Sequence, residues 1–145
     1  MGNKIQPDYI LHGPRVVCSA FIEKDGKCLL FLCPGFKVWR VPGGRVEFNE
    51  TLEQTMIREM KEEIGLDVEN PKFLGWGQDH QYHFAEQRET SRLLIFFHVK
   101  IEQDPKVDPG EAEEFKWVTL DEIKQEKNKE GALTDFFIRH PGFKL

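Results

Sequence analysis

The sequence predicts a mixed α/β (α+β) domain, and three observations lead there. Short apolar runs rich in β-branched residues recur along most of the chain. One long amphipathic helix pattern sits among them in mid-chain. No internal repeat, linker or low-complexity tract divides the 145 residues, so 1–145 reads as one domain. A chain of that length buries roughly 70% of its unfolded surface, enough for a proper core.

The elements follow in order. Val16 to Ile22 is an apolar, partly β-branched run and reads as a buried strand. Asp25-Gly26 then supplies a hairpin turn, with Cys28 to Cys33 as the partner strand. Val38 to Val41 is a short strand that stops at Pro42, and Gly43 and Gly44 let the backbone turn sharply. Residues 45–48, "RVEF", alternate polar and apolar and suggest another short strand. Thr51 with Gln54 fits a capping box. Leu52, Met56, Met60 and Ile64, with Ile57 beside them, form the apolar stripe of the helix it opens. Gly65 suits the left-handed residue that closes it. Farther on, "KFLGWG" and "QYHF" read as strands around a polar "QDH", and Leu93 to Ile101 as a long buried strand. Residues 102–114 form an acidic loop, and "FKWV" a last strand. Thr119 with Glu122 caps a second helix through about Lys127. Leu133 to His140 can be a third, stopped by Pro141.

Composition narrows the function. A net charge of −5 argues against a general nucleic-acid binder, which needs a basic surface. The first residues lack the apolar run of a signal peptide, Gln6 breaks a myristoylation pattern after Gly2, and no stretch approaches a membrane span. Cys18, Cys28 and Cys33 lack zinc-type spacing and read as reduced core thiols of a cytoplasmic protein.

The helix poses a problem of charge. Glu59, Glu62 and Glu63 fall within five residues, just before Gly65, where the helix dipole disfavours acids. Their like-charge and dipole costs sum to the order of 2 kcal/mol, partly offset by Arg58 and Lys61. At 100° per residue the three acids share an arc of about 100° beside the apolar stripe. A solvated acidic face is one reading. A cation site is the other: a divalent ion reverses the electrostatic sign, and hard cations take clusters of carboxylate and carbonyl oxygen. Gly44, just upstream, permits close backbone approach.

Gly44, "RVEFN", Glu50, "TLEQTMI", Arg58-Glu59, Met60, Lys61, Glu62-Glu63, Ile64, Gly65 and Leu66 together resemble the signature box of the Nudix hydrolase family, with every specified position met over 23 residues. The resemblance implies an α/β/α sandwich with a mixed sheet and the box as loop-helix-loop. It implies cleavage of the diphosphate linkage of a nucleoside diphosphate joined to another moiety, with Mg²⁺ or Mn²⁺. By the same resemblance Glu59, Glu62 and Glu63 bind metal together with the Gly44 carbonyl. Arg58 orients a carboxylate, and Glu50 holds the loop or reaches metal through water. Glu59 or Glu62 is then the general base, with Glu111, Glu113 and Glu114 of the acidic loop as alternatives.

Substrate contacts are less determined. Arg45 and Arg40 can meet phosphate oxygens, and Phe36, Trp39, Trp76 and Tyr82 can stack on a base. Tyr82 lies seventeen residues after Gly65, as in diadenosine polyphosphate hydrolases of the family, and the proline of many ADP-ribose pyrophosphatases is absent. "VWRVPGGRVEFNET" resembles sugar-nucleotide hydrolases instead, so the nucleotide-type substrate stays open. His80 and His83 read as structural or surface residues, and His12, His98 and His140 carry no signal. The alternative to an enzyme is a non-catalytic Nudix-type module that binds nucleotide or RNA, which is expected to have lost box glutamates. A homodimer is an analogy to relatives.

Overall fold

A computed structural model describes residues 13–145. His12 and the N-terminal readings on Gly2 and Gln6 lie outside the described residues. Strands β1 (Arg15–Lys24) and β2 (Lys27–Cys33) form the expected hairpin, with Asp25 at φ 52° and Gly26 at φ 78°. Two successive left-handed residues match the right-handed twist of the flanking strands. Then come β3 (Val38–Arg40), β4 (Gly43–Arg45), helix α1 (Leu52–Ile64), β5 (Lys72–His83), β6 (Arg88–Lys100), β7 (Phe115–Val118), α2 (Leu120–Gln125) and α3 (Gly131–Arg139).

The strands form one mixed sheet in the order β3-β2-β1-β6-β5, with β4 added to β1 and β7 to β2. β1 runs parallel to β6; the other pairs are antiparallel. The apolar run of β1 is explained by burial on both faces. Cys18, Ala20 and Ile22 pack with Met56, Met60 and Ile64 of α1, whereas Val17 and Phe21 pack with Ile123, Leu133 and Phe136 of α2 and α3. The expected α/β/α sandwich is therefore present. Each buried Met, Ile or Phe side chain contributes about 1.5–3 kcal/mol, so the apolar stripe fixes α1 firmly on the sheet.

Both capping boxes form. Thr51 Oγ1 accepts from the Gln54 N–H while Gln54 Oε1 accepts from that of Thr51, and Thr119 and Glu122 do the same at α2. Gly65 closes α1 at φ 70°. Several boundaries differ from the sequence reading, β6 among them, which starts at Arg88 rather than Leu93. The strand expected over residues 45–48 lies earlier, at Gly43–Arg45, because the glycines are needed where β4 presses against β1. The polar "QDH" does not interrupt β5. Asp79 faces Arg92 across the ladder and forms a double hydrogen bond with it, at 3.0 and 2.6 Å. Helix α2 ends at Gln125 and α3 starts at Gly131, each two residues before its expected position. Among the described residues no helix is long and apolar enough to cross a membrane.

Candidate active site

Strand β4 and the exposed edge of α1 build the site together. Gly44 pairs with Cys18 of β1, which leaves its Cα facing the carboxylate of Glu59 with no room for a side chain. That approach is the specific use of this glycine. Arg58 then ties the loop to the helix. Its Nε donates to Glu50 Oε2 at 2.6 Å, and its Nη2 to Glu50 Oε1 at 3.0 Å and to the Arg45 carbonyl at 2.9 Å. Nη1 reaches Glu59 at 2.7 Å and Glu62 at 3.2 Å. A planar guanidinium offers five donors in a fixed fork, which suits several carboxylates at set positions; an ammonium offers three and no fork. Glu50 also accepts from the Thr55 hydroxyl and the Glu47 N–H, so it anchors the loop.

The third acid behaves differently. The Glu63 carboxylate is fully buried and accepts from the Gly43 N–H at 3.0 and 3.3 Å, with Arg40 Nη2 at 3.5 Å. Burial pushes its pKa up to about 8 despite the pull of Arg40. For Arg40 burial opposes the charge, yet Glu63 keeps the guanidinium firmly protonated. Glu59 is also raised by burial, against the opposing pull of Arg58. Glu50 is lowered to about 2, first by its bond to Arg58. Acids of quite different proton affinity therefore stand side by side.

A cleft of about 310 Å³ opens over this edge. Gly44, Glu59, Glu62, Arg40 and Arg45 line it, and so does Glu111 from the acidic loop. Glu63 lies behind Gly43, one layer below the surface. Glu113 pairs with Lys37 at 3.6 Å, and the Glu114 carbonyl accepts from the Leu32 N–H; neither acid lines the cleft. Of the four aromatic candidates the structure brings only Phe36 into the lining. Trp39 lies under the Lys116 ammonium at 4.1 Å, Trp76 under Arg139 at 3.8 Å, and Tyr82 against Phe84 at 5.0 Å.

Among the charged and imidazole side chains that line the cleft, sequence reasoning missed Arg15, His83, Arg92 and Glu130. His83 packs edge-on to Phe36 at 4.4 Å, because the unbroken β5 carries it past the end of the core. Glu130 is buried, stands 3.6 Å from Arg92, and is pushed up to about 7 by burial. The polar alternation of β5 and β6 was the one available signal for the Asp79–Arg92 pair. Nothing local marked Glu130.

Every donor on the Gly44–Glu59–Glu62–Glu63 edge is an oxygen, the chemistry that hard divalent cations take. Among the described residues no three carboxylate, imidazole or thiol groups stand ready as a cage. Arg58 and the Gly43 N–H hold these oxygens instead.

The chain matches the NUDIX domain over residues 11–137 and so belongs to the Nudix hydrolase family, whose members act on pyrophosphate bonds. It is 33% identical over 86 residues to the CTP pyrophosphohydrolase of Escherichia coli K12, covering 57% of each chain. It is 28% identical over 130 residues to the phosphatase NudJ of the same organism, covering 87% of this chain and 82% of that one. Among solved structures it resembles the MutT protein of Methanosarcina mazei Go1, with a TM-score of 0.72 and 25% identity over 88% of this chain and 93% of the other.

Proposed function

We propose that this protein is a divalent-metal-dependent pyrophosphohydrolase of nucleotide-type substrates, with Mg²⁺ or Mn²⁺ as cofactor. One observation carries the reading: the complete box folds so that Gly44 lies against Glu59 while Arg58 holds Glu50, Glu59 and Glu62 in one array. Glu59, Glu62, Glu63 and the Gly44 carbonyl would hold the ion. When bound, it neutralises the diphosphate and acidifies the attacking water.

The chain's own groups supply the rest. Glu59 sits at the cleft edge with its pKa raised, which makes it the favoured acceptor of the water's proton. Glu62, more exposed on the next turn, is the second candidate, and Glu111 the third. Arg58 keeps Glu59 from swinging away from Gly44, which preserves the geometry that a displacement at phosphorus requires. Arg45 and Arg40 meet phosphate oxygens. Phe36 is buried, with Arg92 4.6 Å over its ring and His83 at 4.4 Å, so it positions those two side chains at the cleft.

The relative named as a CTP pyrophosphohydrolase supports nucleoside triphosphates as the leading substrate class. In this reading residues 1–145 act as one domain in the cytoplasm, and a homodimer is carried over by analogy. The test is phosphate or pyrophosphate release from nucleoside triphosphates, sugar nucleotides, ADP-ribose and dinucleoside polyphosphates, with Mg²⁺ and with chelator. Release that vanishes with chelator and falls about a hundredfold in Glu62→Gln is expected. Tight binding of one nucleotide without any turnover would favour the binding-module reading.

A further inference from the structure

Three guanidiniums converge on one carboxylate at the cleft rim. Arg15 from β1, Arg45 from β4 and Arg88 from β6 all reach Glu86, which sits in the turn between β5 and β6. Arg15 bonds Oε1 directly, Arg88 Nη1 lies 3.3 Å from the same oxygen, and Arg45 Nη2 lies 3.4 Å from Oε2. His83 Nε2 stands 3.8 Å away, and its Nδ1 accepts from the Glu86 N–H at 3.0 Å. Arg15, Arg45 and His83 line the same cleft as Gly44, Glu59 and Glu62.

A carboxylate offers two oxygens in one plane, a modest match for three planar donor forks arriving from three strands. A phosphate offers more charge and more acceptor oxygens in a tetrahedral array, which suits convergent arginines better. Arg45 adds a second sign. Its side chain is 60% exposed, so its guanidinium is open to a ligand arriving from solvent. The acids of α1 across the cleft repel a phosphate; this rim is the wall that attracts one.

We propose that Glu86 occupies a phosphate subsite formed by Arg15, Arg45 and Arg88, and that a phosphate of the substrate displaces it. This rests on the nucleotide-hydrolase reading, which already gives Arg45 a phosphate role; Arg15, Arg88 and the competing carboxylate are new. Glu86 then acts as a tethered competitor that sets how tightly the cleft takes phosphate.

The test is calorimetric titration of inorganic pyrophosphate into the full chain in the presence of chelator, so that the arginine rim is read without metal. Glu86→Gln removes the charge and keeps the shape, and it is expected to bind pyrophosphate about three- to tenfold tighter than wild type. Arg15→Gln is expected to bind it weaker by a similar factor, with thermal melts verifying that both variants fold. Equal or weaker binding by Glu86→Gln overturns the proposal. A second arm measures the KM of whichever nucleotide is turned over. A fall in Glu86→Gln supports displacement by substrate phosphate. An unchanged KM beside tighter pyrophosphate binding overturns that half and assigns the site to free phosphate. The calorimetry stands even if no nucleotide is hydrolysed, so failure of the subsite and failure of the hydrolase reading are distinguishable.

Discussion

The Cα of Gly44 lies against the carboxylate of Glu59, so close that a methyl group at Gly44 would overlap Oε1, Cδ and Oε2 of that side chain. Glu59 can step aside only by giving up its bond to Arg58 Nη1 at 2.7 Å. Gly44→Ala should therefore displace the carboxylate while the sheet stays intact. The expected result is a loss of about a hundredfold in kcat/KM with a melting temperature close to wild type. Steady-state kinetics beside a thermal melt checks it.

The neighbouring glycine should fail in the opposite way. A methyl at Gly43 would meet the backbone of β1, with the Ser19 Cα 2.6 Å away. Backbone in a central strand cannot yield as a side chain does. Gly43→Ala should cost about 1–3 kcal/mol of stability or more. Denaturant unfolding measures this, and the pair of variants separates a steric demand of the fold from one of the site.

Arg58→Lys tests whether geometry or charge matters at the box. Lysine keeps the charge but loses the fork that binds Glu50 twice while reaching Glu59, Glu62 and the Arg45 carbonyl. Activity should fall about tenfold or more, and stability by about 1–3 kcal/mol. Full activity in the lysine variant would show that Arg58 acts only as a positive charge.

Glu63 should give stability an unusual pH dependence. Its carboxyl titrates near 8 when folded, against an ordinary value of 4.5. Between those values the folded chain holds a proton that the unfolded chain has released. Stability from this group is therefore fully present below about pH 4.5 and declines up to about pH 8, then levels off. Glu63→Gln removes the decline, so the melting-temperature difference, variant minus wild type, should grow from pH 5 to pH 8. A difference that stays flat over that range would contradict the burial argument. Because an ion takes the ionised form, divalent-ion affinity of the wild type should rise over the same range.

The parts of the site that were legible in the sequence are those set by local rules. The caps at Thr51 and Thr119, the left-handed Gly65 and the apolar stripe of α1 each depend on residues within a few positions, and each formed as read except that Ile57, read beside the stripe, is exposed. The box spacing put Glu59 and Glu62 on the cleft edge because residues three apart share a helix face. The cleft's other walls depend on strand pairing. His83 reaches it at the end of β5, Arg92 from β6 opposite Asp79, and Arg15 from the start of β1, where it pairs with Arg92. Glu130 enters from the start of α3, far along the chain from α1. Trp39 looked suited to stacking but packs under Lys116 instead, a contact across β3 and β7 that spacing along the chain does not reveal.

Titration of Mn²⁺ or Mg²⁺ into the full chain, with and without a non-hydrolysable nucleotide, tests the central claim most directly. Saturable binding is expected, strengthened by nucleotide and weakened at least about tenfold in Glu59→Gln and Glu63→Gln. No divalent-ion binding in the wild type, or binding of equal strength in both variants, would contradict it.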